Sequence, residues 1–300
     1  MKTTVLIAGA TGMLGRRIAH YLLLDNKTSV RLLVRPTAPD DVEKASLLKQ
    51  LTDGGATIIE GDLNEESSLN RATTNVDVVI SAVQGGSDII IDGQLALARA
   101  AQRNGVRRFL PSDFALDLFK APQGAPMFDM RREVNAELDA MDLEVIHVLT
   151  GGFMDTILDP QAANIVNIQE GTAHYWGTGE EPFNLTTIDD TARFTSKIAV
   201  DWSVSGGVYA IAGAETTMGR IIDDIARISD RSLSCHIDGS IDELRNIIRQ
   251  KANPWEAIGL WYFISMLTTP PFIAVENGRY PDLTFTSLDD YLSANYSMAR

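Results

Sequence analysis

"VLIAGATGMLG", Val5 to Gly15, carries an apolar run directly into glycines at positions 9, 12 and 15. Val5 to Ala8 reads as a buried strand and the residues after Met13 as the start of a helix. Glycines in such a turn let the backbone approach a pyrophosphate, whose charge the helix N-terminus favours, and Gly15 allows helix and strand to pack closely. A glycine pattern is a weak signal by itself. It gains weight as the first strand-to-helix turn of an alternating chain. The spacing is GxxGxxG, not the GxGxxG of many NAD dehydrogenases.

The alternation is present. Strands are predicted at Thr4 to Gly9, Ser29 to Val34, Ala56 to Gly61, Asp77 to Ala82, Arg107 to Ser112 and Glu144 to Leu149. Helices are predicted between them at Leu14 to Leu24, Asp41 to Thr52, Glu65 to Ala72, Asp88 to Arg103 and Phe128 to Met141. Continuous apolar strands separated by helices imply a parallel sheet covered on both faces, a doubly wound α/β fold of Rossmann type. Asn64 is expected to cap the third helix, and Asn104 with Gly105 to end the fourth. After Leu149 the pattern turns irregular, with helices expected near Ile188 to Val200, from Thr216 as cap to Ile228, at Ile241 to Arg249 and at Trp255 to Met266. The expected division is a dinucleotide-binding domain over residues 1–150, joined by 184–212, and a smaller, mostly helical substrate lobe over 151–183 and 213–300.

Composition narrows the partners. The 300 residues, 45% hydrophobic, suffice for a large core, and a formal net charge of −14 without any basic run argues against nucleic acid. The single cysteine, Cys235, permits neither an intrachain disulfide nor a multi-cysteine metal site, and a reducing cytoplasm fits. No metal-ligand spacing appears. The uncharged run Ala257 to Val275 is broken by Pro270 and Pro271, so a short buried or pocket-lining helix is expected there and no membrane span.

The cofactor's identity turns on the end of the second strand, where an acidic residue would bind the ribose hydroxyls of NAD. This chain has Arg35, and Lys44 follows in "DDVEK". A guanidinium there suits the 2′-phosphate of NADP(H). Both can also be read as solvated surface charge.

Six stretches taken together carry a family resemblance: "GATGMLGRRIA", "VRP" with Lys44 nine residues after Arg35, "GDLNEESSL", "VDVVISAV", "VRRFLPSDFALD" and "RYPDLTFTSLDDYL". Their order over nearly the whole chain resembles the NmrA-like, isoflavone-reductase-like branch of atypical short-chain dehydrogenases. The resemblance implies an NADP(H)-binding Rossmann domain with a small substrate lobe. By position it places Gly9 and Thr11, Gly12, Met13 and Leu14 at the pyrophosphate, Arg35 and Lys44 at the 2′-phosphate, and Asp62 with Leu63 on the adenine side. Ser81, Ala82, Val83 and Gln84 would line the path to the nicotinamide. Pro111, Ser112 and Asp113, and Gly152 with Phe153, would edge the reaction pocket.

The proton for a reduction has no obvious source. Ordinary short-chain dehydrogenases use a YxxxK pair, and none of the seven tyrosines has a lysine four residues on. In reductases of the resembled branch a helix supplies a lysine from a segment similar to "FDMRREV", where Arg131 now stands. Met127, Met130, Val134, Leu138 and Met141 form an apolar stripe. At about 100° per residue Arg131 flanks that stripe by roughly 60° and Arg132 points nearly opposite, to solvent. Arginine does not act as a general acid near neutral pH, so Arg131 is left with an electrostatic role beside Asp113, or with a packing ion pair to Glu137 or Asp113. Lys120 is an alternative proton donor. His20, His147 and His236 read as structural, and His174 as a residue of the cleft edge.

Two functions fit. One is an NADPH-dependent oxidoreductase acting on a small aromatic or conjugated carbonyl compound, a phenylpropanoid-like enone or a quinone. The other is a non-enzymatic NADP(H)-sensing regulator that binds a protein partner, which needs the cofactor site and no proton donor. A dinucleotide enzyme for another substrate is the third possibility.

Overall fold

The computed structural model describes residues 2–37, 41–162 and 165–297. In chain order the elements are β1 (Thr3–Ala8), α1 (Met13–Leu24), β2 (Thr28–Val34), α2 (Val42–Asp53), β3 (Thr57–Glu60), α3 (Glu66–Thr73) and β4 (Val78–Ser81). A π-helical segment (Asp88–Gly93) then leads into α4 (Gln94–Arg103), followed by β5 (Arg108–Leu110), α5 (Pro126–Leu138), β6 (Glu144–Leu149), β7 (Gly152–Phe153) and α6 (Met154–Ile157). The remainder comprises β8 (Val166–Asn167), β9 (Thr172–Trp176), β10 (Phe183–Thr186), α7 (Ile188–Val200), β11 (Gly207–Ala210), β12 (Ala214–Thr216), α8 (Met218–Ser229), β13 (Ser234–Gly239), α9 (Ile241–Arg249), α10 (Ile258–Thr268) and α11 (Leu288–Tyr296).

The chain divides into two compact units. The first comprises Met1–Asp113, Met130–Val148 and Thr191–Tyr209, and the second Phe114–Asp129, Leu149–Asp190 and Ala210–Arg300. The first is built on a seven-stranded sheet of order β11-β6-β5-β4-β1-β2-β3. Its strands from β6 to β3 pair in parallel. Strand order reverses at β1, between β2 and β4, so the crevice of a doubly wound sheet opens at the carboxyl end of β1. The sheet's central strands are buried on both faces: every residue of β4 and β5 is buried, as are Val5 to Ala8 of β1. Helix α1 buries Gly15, Ile18, Ala19 and Leu22, one face at helical spacing.

The second unit holds, besides its helices, two three-stranded sheets of order β12-β10-β7 and β13-β9-β8. One of its cores gathers Ile221, Ile222 and Ile225 of α8 with Leu288, Leu292 and Tyr296 of α11. The apolar run after Ala257 forms α10, of 11 residues, and no described helix is long and apolar enough to cross a membrane.

Three local expectations are corrected. Asn64 does not cap α3; Glu65 occupies that position without a side-chain bond, while the Asn64 N–H donates to Asp62 Oδ1 at 2.9 Å. Thr216 ends β12, and it is Thr217 that caps α8, accepting from the Arg220 N–H at 3.2 Å. The fourth helix does not begin as an α-helix at Asp88, because its first six residues are π-helical.

Candidate cofactor and active site

The three glycines of the first turn do different jobs. Gly9 has φ +83°, and a Cβ there would lie 2.4 Å from the Ala82 carbonyl oxygen. The Ala82 N–H donates to the Ala8 carbonyl at 2.9 Å, so β1 and β4 leave no room between them. A Cβ on Gly15 would sit 2.2 Å from the Gly9 carbonyl oxygen. Both glycines are demanded by the protein's own backbone. Gly12 is not: its φ of −78° suits any residue, and an added Cβ would meet only the Gly9 carbonyl, at 3.3 Å, and the Ala82 carbonyl, at 4.0 Å.

Gly12 is also the N-cap of α1. No side chain caps this helix, and its first turn carries no acidic residue. The first N–H groups of a helix need outside partners and favour an anion. Gly12 and Met13 are exposed and Thr11 and Leu14 partly so, which leaves this end open to a phosphate.

Across the crevice β4 ends at Ser81, aligned with Ala8 of β1. Ser81 is 0% exposed and its hydroxyl has no hydrogen-bond partner. An orphaned buried hydroxyl costs free energy unless a ligand or water satisfies it. Val83 is buried and Gln84 exposed, and the Val83 carbonyl accepts from Ser112 Oγ at 2.7 Å. Pro111, Ser112 and Asp113 leave β5 at the same edge, all buried.

Arg35 follows the last residue of β2, is exposed, and makes no side-chain hydrogen bond or ion pair among the described residues. Lys44 differs. Its ammonium lies 2.8 Å from the carboxylate of Asp41, the residue that caps α2, and this contact holds the Asp41 carboxyl below the usual carboxylate range. Part of the Lys44 charge is therefore already matched. Asp62 is half-buried and closes a turn, its N–H donating to Ser68 Oγ at 3.0 Å. Leu63 packs on the π-helical segment, where a Cβ on Gly93 would lie 3.0 Å from it.

Arg131 is half-buried, and its Nε donates to the Ser112 carbonyl at 2.8 Å. Glu137 lies 3.8 Å from Arg99. Arg132 is not the fully solvated residue its helical angle suggested; it too is half-buried. Asp113, 1% exposed, takes two hydrogen bonds on Oδ2, from Asn135 Nδ2 at 2.9 Å and His147 Nδ1 at 2.7 Å.

Gln94 went unnoticed in the sequence. It is buried at the start of α4, donating from Nε2 to the Ile90 carbonyl at 2.9 Å and accepting on Oε1 from the Ser112 N–H at 2.9 Å. A glutamine on the buried side of the otherwise apolar "QLALA" was the available signal. Gln94 and Arg131 thus grip the two sides of one residue, Ser112, whose hydroxyl reaches the Val83 carbonyl two residues beyond β4.

Other candidates lie in the second unit. Phe153 is half-buried in β7, in register with Thr186 of β10. Lys120 pairs with Asp117 at 2.6 Å. His174 is exposed on β9, 3.1 Å from Asp238 and stacked on His236 at 4.9 Å. Burial, with Asp155 and Asp159 nearby, pushes the Tyr291 phenol up to about 12, and burial does the same for Tyr296, which leaves both weak acids.

The profile of the NmrA-like family matches residues 1–252. Phenylcoumaran benzylic ether reductase IRL1 of Ginkgo biloba is 32% identical, covering 97% of this chain and 98% of its own. Pinoresinol reductase 1 of Arabidopsis thaliana is 29% identical over 97% and 96%. Among solved structures, the complex of AtPrR2 with NADP+ and (+)pinoresinol matches with a TM-score of 0.83 at 25% identity, covering 98% of this chain and 99% of that one. An isoflavone reductase crystal structure shares the fold, with a TM-score of 0.86 at 22% identity over 98% and 99%. With the open glycine turn, the reversal of strand order beside it and a match over most of its length, the chain belongs to the NmrA-like family.

Proposed function

We propose that this chain is an NADPH-dependent reductase of a small aromatic or conjugated carbonyl compound, a phenylpropanoid-like enone or a quinone. The observation that carries the reading is the uncapped N-terminus of α1 beside Gly12, which is exposed and free of any need of the protein for a glycine. The orphaned Ser81 hydroxyl at the same edge supports it, as does the similar structure solved with NADP+ and (+)pinoresinol. Thr11 to Leu14 would hold the pyrophosphate, Arg35 the 2′-phosphate with help from Lys44, Asp62 and Leu63 the adenine side, and Ser81 to Gln84 with Pro111 and Ser112 the nicotinamide side.

NADPH bound there supplies a hydride. The chain's own part is to orient the acceptor and to stabilise the charge that develops on it, and Arg131 is assigned the second task. Residues 1–150 with 184–212 are assigned to the cofactor, and 151–183, with Phe153, and 213–300 to the substrate. Apolar side chains exposed in the second unit, among them Phe119, Tyr262 and Ile273, suit an aromatic ligand. The lone exposed Cys235 fits a reducing cytoplasm.

The direct test is NADPH oxidation across a panel of quinones and enones, with turnover of at least one expected. The family resemblance implies a lysine where Arg131 stands, and on that ground a second reading is kept: tight NADPH binding with no turnover of any panel member would favour an NADP(H)-sensing regulator with a protein partner.

Two variants test the cofactor assignment. Gly12→Val will keep the fold, since its backbone angles are ordinary and its nearest contact needs only a few tenths of an ångström. It will weaken NADPH binding by at least about 100-fold, or ~2.8 kcal/mol, because the new side chain fills the pyrophosphate's place. Unchanged affinity in a folded variant, measured by calorimetry, would show that the turn is only structural. Arg35→Asp replaces attraction by repulsion at the 2′-phosphate and will narrow or reverse the preference for NADPH over NADH; a preference equal to the parent's would remove Arg35 from the site.

A further inference from the structure

The reductase reading leaves the proton unassigned, and the first unit contains a buried acid–base pair that it does not use. His147 is the fourth residue of β6. The β5–β6 register aligns Arg108 with Glu144 and Phe109 with Val145, and continuing it sets His147 opposite Pro111, beyond the last residue of β5. The ring therefore lies at the carboxyl edge of the sheet, the edge at which doubly wound folds bind ligands. It is 6% exposed, and its partner Asp113 is 1% exposed.

We propose that His147, oriented by Asp113, holds the proton that accompanies hydride delivery; this rests on the reductase reading. Three features carry it. The Asp113 carboxylate 2.7 Å from Nδ1 favours the tautomer that carries a proton there, and the proton transfer is assigned to Nε2. Asn135 donates to the same carboxylate oxygen, yet its own Oδ1 is buried without a partner. A cluster serving packing alone would be expected to satisfy that acceptor. Arg131 lies one turn before Asn135 on α5 and is held to the Ser112 carbonyl, next to Asp113. Chain and side chains thus join the positive charge to the acid–base pair.

Among the described residues, charged groups beside the ring include Asp113 at the exit of β5 and Arg131 on α5; Glu144, at the start of β6, is engaged by Arg107 and Arg108. In the reaction the hydride forms a C–H bond and leaves an electron pair on the substrate oxygen or its conjugated carbon. The Nε2–H bond of the imidazolium breaks and the new O–H or C–H bond forms, directly or through one bridging water. The neutral imidazole then takes a proton from solvent, so the balance is one NADPH and one proton consumed per substrate reduced.

The test is nitrogen-15 NMR of the histidine rings in the full chain, with and without saturating NADP+. There are four histidines, and His147→Gln assigns the signal. Expected are a proton retained on Nδ1 and a shift of the Nε2 signal on adding NADP+. An Nε2 signal that NADP+ leaves unmoved although calorimetry shows it bound overturns the proposal and spares the reductase reading. Failure of NADP+ to bind overturns both. In turnover, His147→Gln should lower kcat on the order of 100-fold or more with KM for NADPH little changed, and imidazole should restore part of the activity of His147→Ala. A structural Asp–His tie would lower stability and move neither.

Discussion

Arg131→Ala will lower turnover on the order of 100-fold, the loss of a few kcal/mol of transition-state stabilisation that follows removal of one preorganised charge from a developing anion. The guanidinium is half-buried, and its Nε is held at 2.8 Å by the Ser112 carbonyl, so its position is set before any ligand arrives. Ser112 is in turn held through its N–H by buried Gln94 and through its hydroxyl by the Val83 carbonyl. Arg131→Lys keeps a positive charge but loses the side-on Nε donor, so it should retain only part of the activity. The lysine variant also introduces a group able to transfer a proton, visible as a new basic limb in the pH profile. Arg132→Ala should stay near the parent rate. If both alanine variants turn over like the parent, Arg131 contributes packing alone.

Arg108→Ala will destabilise the first unit by about 3–5 kcal/mol, the range for breaking a buried charge pair from one side. Arg108 is 0% exposed. Its Nη1 donates to the carbonyls of Ile198, Ala199 and Asp201 at 2.9, 3.1 and 2.8 Å, and its Nη2 donates to Val204 at 2.9 Å. Two of these oxygens belong to the last turn of α7, where a helix leaves its carbonyls unpaired and favours a cation. Nε donates to Glu144 at 3.1 Å, and the Trp202 ring centroid lies 4.6 Å from Arg108 and 4.4 Å from Arg107. Removing the guanidinium leaves four carbonyls short of a donor and deprives Glu144 of its buried partner. Urea unfolding will show the loss; a change below about 1 kcal/mol, as for a surface pair, would mean that water replaces the guanidinium.

The central sheet was legible because its strands are continuous apolar runs with glycines or polar turns at their ends. Within the first 150 residues each predicted strand falls within two residues of an observed one. The two small sheets of the second unit were not legible, since β7 and β8 have two residues each and β12 three, too short to show a period of two. The glycine turn from Gly9 to Gly15 was legible because its geometry is set by local chain, and the charge of Arg35 at the end of β2 was legible as a residue type, its role resting on the proposal. The site was not legible where it depends on long-range partners. His147 read as an ordinary core histidine because Asp113 stands 34 residues earlier, and nothing local marks the pair. Arg108 passed as one more strand residue, though its partners lie 90 residues and more away. Lys44 shows the reverse limit: its charge was legible, but the capping role of Asp41, which takes up part of that charge, appeared only with the helix.

Calorimetric titration of the full chain with NADPH and with NADH tests the central claim most directly, because it needs no substrate. The geometry predicts a single NADPH site per chain, with NADH bound more weakly by about 10-fold or more, equivalent to ~1.4 kcal/mol, through the missing 2′-phosphate contact at Arg35. Equal affinity for the two, or no heat from either, would contradict it.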